Sequence, residues 1–294
     1  MLKKLKLIIF IVFYIYQTSA FSKASDDKDF NPKYLSNYLS AIILQNNYNS
    51  EDSAKRFNSS KILINEHEEF LKKYIKTLIA SGEVQKAINI IKQNKNKKNS
   101  KFFEAKLLLL IENFKKKKFY QNIELLNEFE KYRDYSNYHF IVYEVLRSYN
   151  ELFLTKELNL KKEQFGNLSL INEVFQYCYL NKPETNSKFL NLINSNEGDY
   201  TRYLFFYLNK LIEKKNIQNT IQLSKEINIL NSNLLIQQSK QWIDSSNFSK
   251  FGEVFSCRNE PDLISEFLFL VSNFLAVDDN LEKSIFYSNL SNYL

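Results

Sequence analysis

Side chains that could carry out chemistry are few in this sequence and far apart. The only histidines are His67 and His139, and neither has a cysteine or a carboxylate motif at the spacing that metal ligands need. His67 is predicted to be a solvated residue in a turn between helices, and His139 a packing residue among aromatic neighbours. No metal site is expected.

Paired carboxylates and isolated glycines also have simple structural explanations. Glu68-Glu69 and Asp278-Asp279 come at predicted helix starts, where an acid favours the positive helix end and caps free N–H groups. The 4 glycines are each isolated, so the chain has no glycine-rich phosphate loop. We therefore expect no catalytic residue, no cofactor and no small-molecule substrate, and the chain is not predicted to be an enzyme.

The composition predicts an all-α fold. The chain has 294 residues, 44% of them apolar, which is enough to bury a large core. It contains 4 Gly and 3 Pro against 25 Phe and 19 Tyr. Sheets and phosphate-binding loops depend on Gly and Pro, whereas stacked helices need few of them.

Segment 68–94 predicts two short amphipathic helices joined by a turn at Gly82. Both helices repeat apolar residues at the i, i+3, i+4, i+7 spacing that lines one face. Because such a pair cannot cover its own apolar face, it needs a neighbouring pair on each side. The apolar residues are Leu71, Tyr74, Ile75, Leu78 and Ile79 in the first helix, and Val84, Ala87, Ile88 and Ile91 in the second.

This spacing resembles the tetratricopeptide repeat (TPR), a helix–turn–helix unit of about 34 residues. Segments 68–94 and 200–230 match well, and 138–166 matches poorly. The resemblance implies a right-handed α-α superhelical solenoid of about seven or eight helix pairs over residues 33–294. A helical repeat outside this family is the alternative. Ala87 lies at the position of the second helix that packs closely against the first. Counting from it at about the repeat period, the equivalent positions of the other second helices are Ser53, Gln121, Ser187, Thr220, Phe251 and Ser284.

In the TPR family the first helices line a concave groove that holds a protein or peptide partner. The resemblance implies five groove residues from each of the two well-matched repeats. The alternative is that these residues only solvate their helices. They are Glu69, Lys72, Lys76, Ile79 and Ala80 from one repeat, and Arg202, Phe205, Asn209, Ile212 and Glu213 from the other.

The two cysteines, Cys178 and Cys257, are predicted to remain free thiols. In a solenoid they lie more than two repeats apart, and helix layers packed about 8–10 Å apart separate them by about 20 Å or more. A disulfide requires Cα atoms within about 7 Å of one another. Cys178 is expected to be buried and Cys257, next to Arg258, more exposed.

Residues 1–20 have the pattern of a cleaved secretory signal, followed by a polar linker over 21–32. The apolar run is about half the length that spans a bilayer. We predict a periplasmic or secreted mature chain beginning at Phe21, with an uncleaved membrane anchor as the alternative. The signal consists of the basic residues Lys3, Lys4 and Lys6, the apolar run Leu7–Tyr16, and the small residues Thr18, Ser19 and Ala20.

The net charge of +7 includes the three signal lysines, so the remaining excess is modest. Lysines concentrate at 92–101 and 115–118, both at predicted turns between helices. An anionic partner is one explanation, and solvated turns are the preferred one. Arginine is scarce and export separates the chain from cellular nucleic acid, so no nucleic-acid partner is expected.

The last predicted helix, after Asp278-Asp279, has an apolar face with no neighbour to cover it. We expect this face either to continue into a longer solenoid or to pair with a second copy, giving self-association through the carboxy-terminal helix. Its apolar residues are Leu281, Ile285, Phe286, Leu290, Tyr293 and Leu294.

Three functions remain open. The favoured one is a non-catalytic adaptor or assembly factor of the cell envelope, binding a protein or peptide partner in its groove. The second is the scaffold half of a larger enzyme, such as a cell-wall hydrolase with its catalytic domain beyond residue 294. The third is a structural module that associates end to end. The sequence does not identify the partner.

Overall fold

A computed structural model describes residues 31–160, 166–195, 200–228 and 232–294. Within these ranges the chain is all-α, with 15 α-helices and no β-strand, which confirms the predicted fold class. The predicted signal and its cleavage site lie outside the described residues. The helices are α1 (Pro32–Asn46), α2 (Ser50–Asn58), α3 (Phe70–Ala80), α4 (Val84–Gln93), α5 (Phe103–Lys115), α6 (Phe119–Phe129), α7 (Asn137–Thr155), α8 (Asn167–Tyr179), α9 (Thr185–Ile193), α10 (Arg202–Glu213), α11 (Ile217–Lys225), α12 (Leu234–Asp244), α13 (Ser249–Val254), α14 (Glu260–Val277) and α15 (Leu281–Tyr293). Short 3₁₀ helices occupy Lys61–Ile64, Lys98–Ser100 and Glu130–Tyr135.

Seven helix–turn–helix units share one turn geometry: α1/α2, α3/α4, α5/α6, α8/α9, α10/α11, α12/α13 and α14/α15. In each, one turn residue has a positive φ, and the N–H of the next residue bonds to a carbonyl five positions earlier, at 2.7–3.0 Å. This is the Schellman ending, which satisfies the last carbonyls of the first helix. The spacing between successive turn residues is close to the repeat period, and it is about twice that period where α7 intervenes. They are Tyr48, Gly82, Lys117, Asn181, Lys215, Ser246 and Asp279.

The predicted packing of the second helices is largely confirmed. Ala87 is fully buried, and so are Ser53, Thr220 and Phe251, with Ser284 nearly so. The predictions at Gln121 and Ser187 are wrong, because both are exposed. The hairpin that contains Gln121 instead buries Asn122, one residue later, and the hairpin that contains Ser187 buries Thr185, two residues earlier. The repeat period therefore drifts on either side of α7.

Around α7 the repeat period is interrupted, in the region where the sequence pattern is weak. Residues 156–160 follow α7, and a buried polar cluster ties them to α8. The Ser148 hydroxyl donates to the Asn159 carbonyl at 2.7 Å, and the Asn159 N–H donates to the Gln176 side chain at 2.8 Å. The fully buried Gln176 side-chain amide also donates to the Ser148 hydroxyl, at 3.1 Å, which joins α8 to α7.

The solenoid curves until its last hairpin, α14/α15, packs against α3, α4, α5 and α7. The Asn289 amide donates to the Ile79 carbonyl at the end of α3, at 2.8 Å. The Tyr138 and Tyr287 hydroxyls are 2.6 Å apart. Leu290 is fully buried. The expectation of an uncovered carboxy-terminal face is therefore wrong for most of that face, because the same chain covers it; Leu281 alone of its predicted apolar residues is exposed.

The prediction of two free thiols is also wrong. Cys178, at the end of α8, forms a disulfide with Cys257, just before α14, and their Cα atoms lie 5.7 Å apart. Both are buried, so the expectation of an exposed Cys257 fails as well. The predicted separation assumed a nearly straight stack, whereas the curvature brings the seventh hairpin back to α8. Phe255 packs between Phe175 and Phe206 and so holds this hairpin against α8. Its ring centroid lies 5.6 Å from that of Phe175 and 4.5 Å from that of Phe206.

The packing of Ala87 gives a first testable prediction. Ala87 is fully buried near the start of α4, so a larger side chain has no space there. Ala87→Leu should lower the free energy of unfolding by about 1–3 kcal/mol through overpacking. Urea unfolding measures this difference, with Gln93→Leu, an exposed residue at the end of the same helix, as the control. A variant as stable as the parent would remove Ala87 from the core.

The shared turn gives a second prediction. Lys215 has φ 58°, a conformation that costs an L side chain about 1–2 kcal/mol, whereas Gly adopts it freely. Lys215→Gly should therefore raise the free energy of unfolding by about 1 kcal/mol. The neighbouring Lys214 has φ −82°, so Lys214→Gly should bring no gain. Conversely, Gly82→Ala should destabilise by about 1 kcal/mol, because φ is 80° there although space is free. Equal effects at Lys214 and Lys215 in urea unfolding would contradict this explanation.

Candidate functional site: a cleft formed by closure of the chain

Closure of the solenoid creates a cleft of about 800 Å³, within the range of ligand pockets. Five parts of the chain line it: the α1–α2 turn, α3, the start of α5, the segment from the 3₁₀ helix 130–135 into α7, and α15. Since α3 and α15 are distant in sequence, the cleft exists only because the last hairpin packs back onto the first ones.

Lys76 joins three walls of the cleft. Its Nζ atom lies 3.3 Å from a Glu104 carboxylate oxygen and 3.7 Å from one of Glu282. Glu104 begins α5 and Glu282 begins α15, so the lysine of α3 bridges the two ends of the closed chain. One cleft lysine thus has its charge balanced within the protein.

A group of aromatic rings forms the opposite wall. The His139 ring lies edge-on to Phe103 at 4.3 Å and to Tyr138 at 4.5 Å. Its Nδ1 atom is 2.6 Å from the Ser136 hydroxyl, which also caps α7. Burial lowers the pKa of His139; Glu104 opposes this shift, while Lys283 and Lys72 add to it. The lowered pKa favours the neutral form of the imidazole.

Tyr132 brings a buried polar group into this wall. Its side chain lines the cleft and is 4% exposed, and its hydroxyl oxygen is buried, with no hydrogen-bond partner among the described residues. Burial raises the pKa of Tyr132, so the phenol stays protonated and able to donate. Other buried polar atoms of the described residues share this state, so Tyr132 by itself does not mark a binding function.

Three further lysines of the cleft, Lys72, Lys73 and Lys101, have no ionic partner among the residues that the structure describes. They come from α3 and from the residues just before α5. Lys283 lies over the Tyr138 ring, 5.1 Å from its centroid. The cleft therefore combines unpaired positive charge with aromatic surface.

The first set of predicted groove residues lies at this cleft. Glu69, Lys72, Lys76 and Ala80 line it, while Ile79 is fully buried in the core behind it. Their predicted role in partner binding stays a prediction. The aromatic residues of α7 and the lysine of α15 escaped the sequence analysis, because the repeat pattern contains no signal for closure.

The second predicted set does not reach the cleft, so the two repeats do not share one groove. Phe205 and Asn209 are buried, and the Asn209 amide donates to the Phe255 carbonyl. Ile212 is half-buried. Glu213 accepts a hydrogen bond from Ser256 at 3.0 Å.

Arg202 belongs to a different environment again. It binds both carboxylate oxygens of Glu266, at 2.9 and 2.8 Å, which ties α10 to α14. Its guanidinium also stacks on Phe269 at 4.3 Å. This arrangement holds two hairpins together, and Arg202 and Phe205 also line a second, smaller cavity of about 150 Å³. The role of the second set in partner binding stays a prediction.

The two lysine runs lie at connections between helices, as predicted: 92–101 links α4 to α5, and 115–118 forms the α5/α6 turn. Part of these runs is structural. Lys92 and Lys116 both bind the buried carboxylate of Glu112, and Lys117 binds Glu260 at 2.8 Å. Burial tends to raise the pKa of Glu112, but the bonds from Lys116 and Lys92 lower it below its ordinary value. The charge of these runs therefore stabilises the fold at these points.

Comparisons with protein-family models, curated proteins and solved structures found no match to this chain. Among the described helices, none is both long and apolar enough to cross a membrane. The described residues also contain no cluster of three or more His, Cys, Asp or Glu side chains able to hold a metal ion.

Proposed function

We propose that this chain is an exported, non-catalytic, TPR-like scaffold that binds a segment of a protein partner in the cleft. The observation that carries the proposal is the cleft itself, a concave site of about 800 Å³ lined by the first and the last of the described hairpins. Aromatic surface and unpaired charge are features by which proteins hold peptide segments.

Two observations support export. The amino-terminal segment has the pattern of a secretory signal. The Cys178–Cys257 disulfide is typical of proteins that fold in an oxidising compartment, such as the periplasm. Amino-terminal sequencing of the exported protein tests this part of the proposal, with Phe21 as the expected first residue. Recovery of intact Met1 in the membrane fraction would instead indicate an anchor.

Selection from a random peptide library against residues 21–294 tests the binding function. Enriched peptides are then titrated against the protein by fluorescence anisotropy. Tyr135 lines the cleft with an exposed ring, so Tyr135→Ala should weaken binding about tenfold. Tyr120 is equally exposed on α6, outside the cleft, and Tyr120→Ala should have no effect. Failure to enrich any peptide, or equal effects of the two substitutions, would overturn the proposal.

A further inference from the structure

We infer that the segment held in the cleft is acidic, and that Lys72, Lys73 and Lys101 bind its side-chain carboxylates. The inference rests on the proposed function and specifies its ligand. It depends on the balance of charge in the cleft and on the concave shape of the site.

Charge in the cleft is unbalanced in favour of lysine. Two of its three glutamates, Glu104 and Glu282, are already bound by the single lysine Lys76. Glu69 is exposed and makes no ion pair within the described residues. An anionic ligand would thus meet lysines that have no competing partner. The cleft lysines are Lys72, Lys73, Lys76, Lys101 and Lys283, and its glutamates are Glu69, Glu104 and Glu282.

The Tyr132 ring lines the cleft, but its hydroxyl oxygen is buried and has no hydrogen-bond partner among the described residues. A carboxylate would bond this hydroxyl only after a side-chain shift exposes it. The lysines therefore carry the recognition of the acidic ligand.

The shape of the cleft favours a peptide over a membrane surface. The lysines line a concave site of about 800 Å³, which a flat array of lipid headgroups cannot enter. An extended peptide can enter it and place side chains against the rings of Tyr135 and Phe102. The expected ligand is therefore a segment in which acidic residues alternate with aromatic or aliphatic ones.

The test uses two amidated, fluorescent peptides on residues 21–294. The first alternates Asp and Glu with Phe and Leu, and the second has Asn and Gln in place of the acids. The acidic peptide should bind at least tenfold more tightly, with an affinity that falls at high salt. The double variant Lys72→Glu, Lys73→Glu should lose this preference. Lys214→Glu with Lys215→Glu, an exposed adjacent pair on another hairpin, makes the same change of net charge and should keep it.

His139 provides an independent readout inside the cleft. The groups facing it are Glu104 from α5, Lys72 from α3 and Lys283 from α15, with Ser136 at the start of its own helix. A bound carboxylate adds negative charge there, so the pKa of His139 measured by NMR should rise with the acidic peptide and not with the neutral one. His67 lies outside the cleft, and its signal should be the same in both titrations.

The possible failures are distinguishable. Equal binding of the acidic and neutral peptides, with sensitivity to Tyr135→Ala, would overturn the inference and leave the proposed function standing. Selection that enriches no peptide at all would overturn both. Binding to vesicles of anionic phosphatidylglycerol that competes with the peptide and depends on Lys72 and Lys73 would also overturn the inference, in favour of a membrane surface.

Discussion

Replacing both cysteines with serine is expected to lower the free energy of unfolding by about 4 kcal/mol. The Cys178–Cys257 bond closes a loop of 79 residues, and chain-entropy estimates for loops of this size lie between about 3 and 5 kcal/mol. The bond also joins α8 to the residue just before α14, so its removal releases the hairpin that closes the cleft. Urea unfolding of the variant and the parent, both without reductant, measures the difference.

Reductant gives the matched control for this experiment. Dithiothreitol should lower the stability of the parent toward that of the double-serine variant, and it should leave the variant unchanged. Without reductant neither sulfur should react with an alkylating agent, before or after denaturation, because both sulfurs are in the disulfide. Two alkylated cysteines in denatured, unreduced parent protein would show that the bond is absent and would contradict the curvature of the described fold.

Local features were predictable from the sequence because each depends on a few neighbouring residues. The turn at Gly82 needs only a residue that accepts positive φ, and the burial of Ala87 follows from the period of one hairpin. The curvature depends on the angles between all successive hairpins, which no single spacing encodes. The bond from Asn289 to the end of α3 and the Tyr138–Tyr287 pair were therefore not foreseen.

The same distinction applies to the cleft. Lys72 and Lys76 could be placed on its wall because they lie on the first helix of the best-matched repeat. His139 lies in the segment where the repeat pattern is weakest, Tyr132 lies just before that segment, and Lys283 lies on the helix that closes the chain. Only a structure that brings these segments together shows that they face one another.

Arg202→Met is expected to destabilise the protein by about 3 kcal/mol or more at pH 8. The Arg202 guanidinium holds the carboxylate of Glu266, whose side chain is 6% exposed. Burial alone raises the pKa of Glu266, and the bonds from Arg202 oppose this shift. Without the arginine an unpaired buried charge remains, and removal of one partner of such a pair typically costs 3–5 kcal/mol.

The sign of the pH dependence follows from Glu266. In Arg202→Met the folded-state pKa of this carboxyl lies further above its unfolded value of about 4.3. The folded state of the variant then binds the proton more readily than the unfolded chain does. The free energy of unfolding of the variant should therefore fall as the pH rises through the folded-state pKa of Glu266. Its difference from the parent should become smaller as the pH falls toward the pKa of an ordinary carboxyl.

Two comparison variants make the interpretation specific. Replacing both partners, as Arg202→Met with Glu266→Leu, should recover most of the loss, because no buried charge remains. Lys250→Met breaks the exposed pair with Glu253 and should change the free energy of unfolding by less than about 1 kcal/mol. If Arg202→Met proved no more costly than Lys250→Met in urea unfolding at pH 8, Arg202 would be free to serve a partner, as the repeat pattern predicted. A large, pH-dependent loss of unfolding free energy that the double replacement relieves would show that Arg202 holds α10 against α14. Its two bonds to Glu266 would then help to maintain the curvature that forms the cleft.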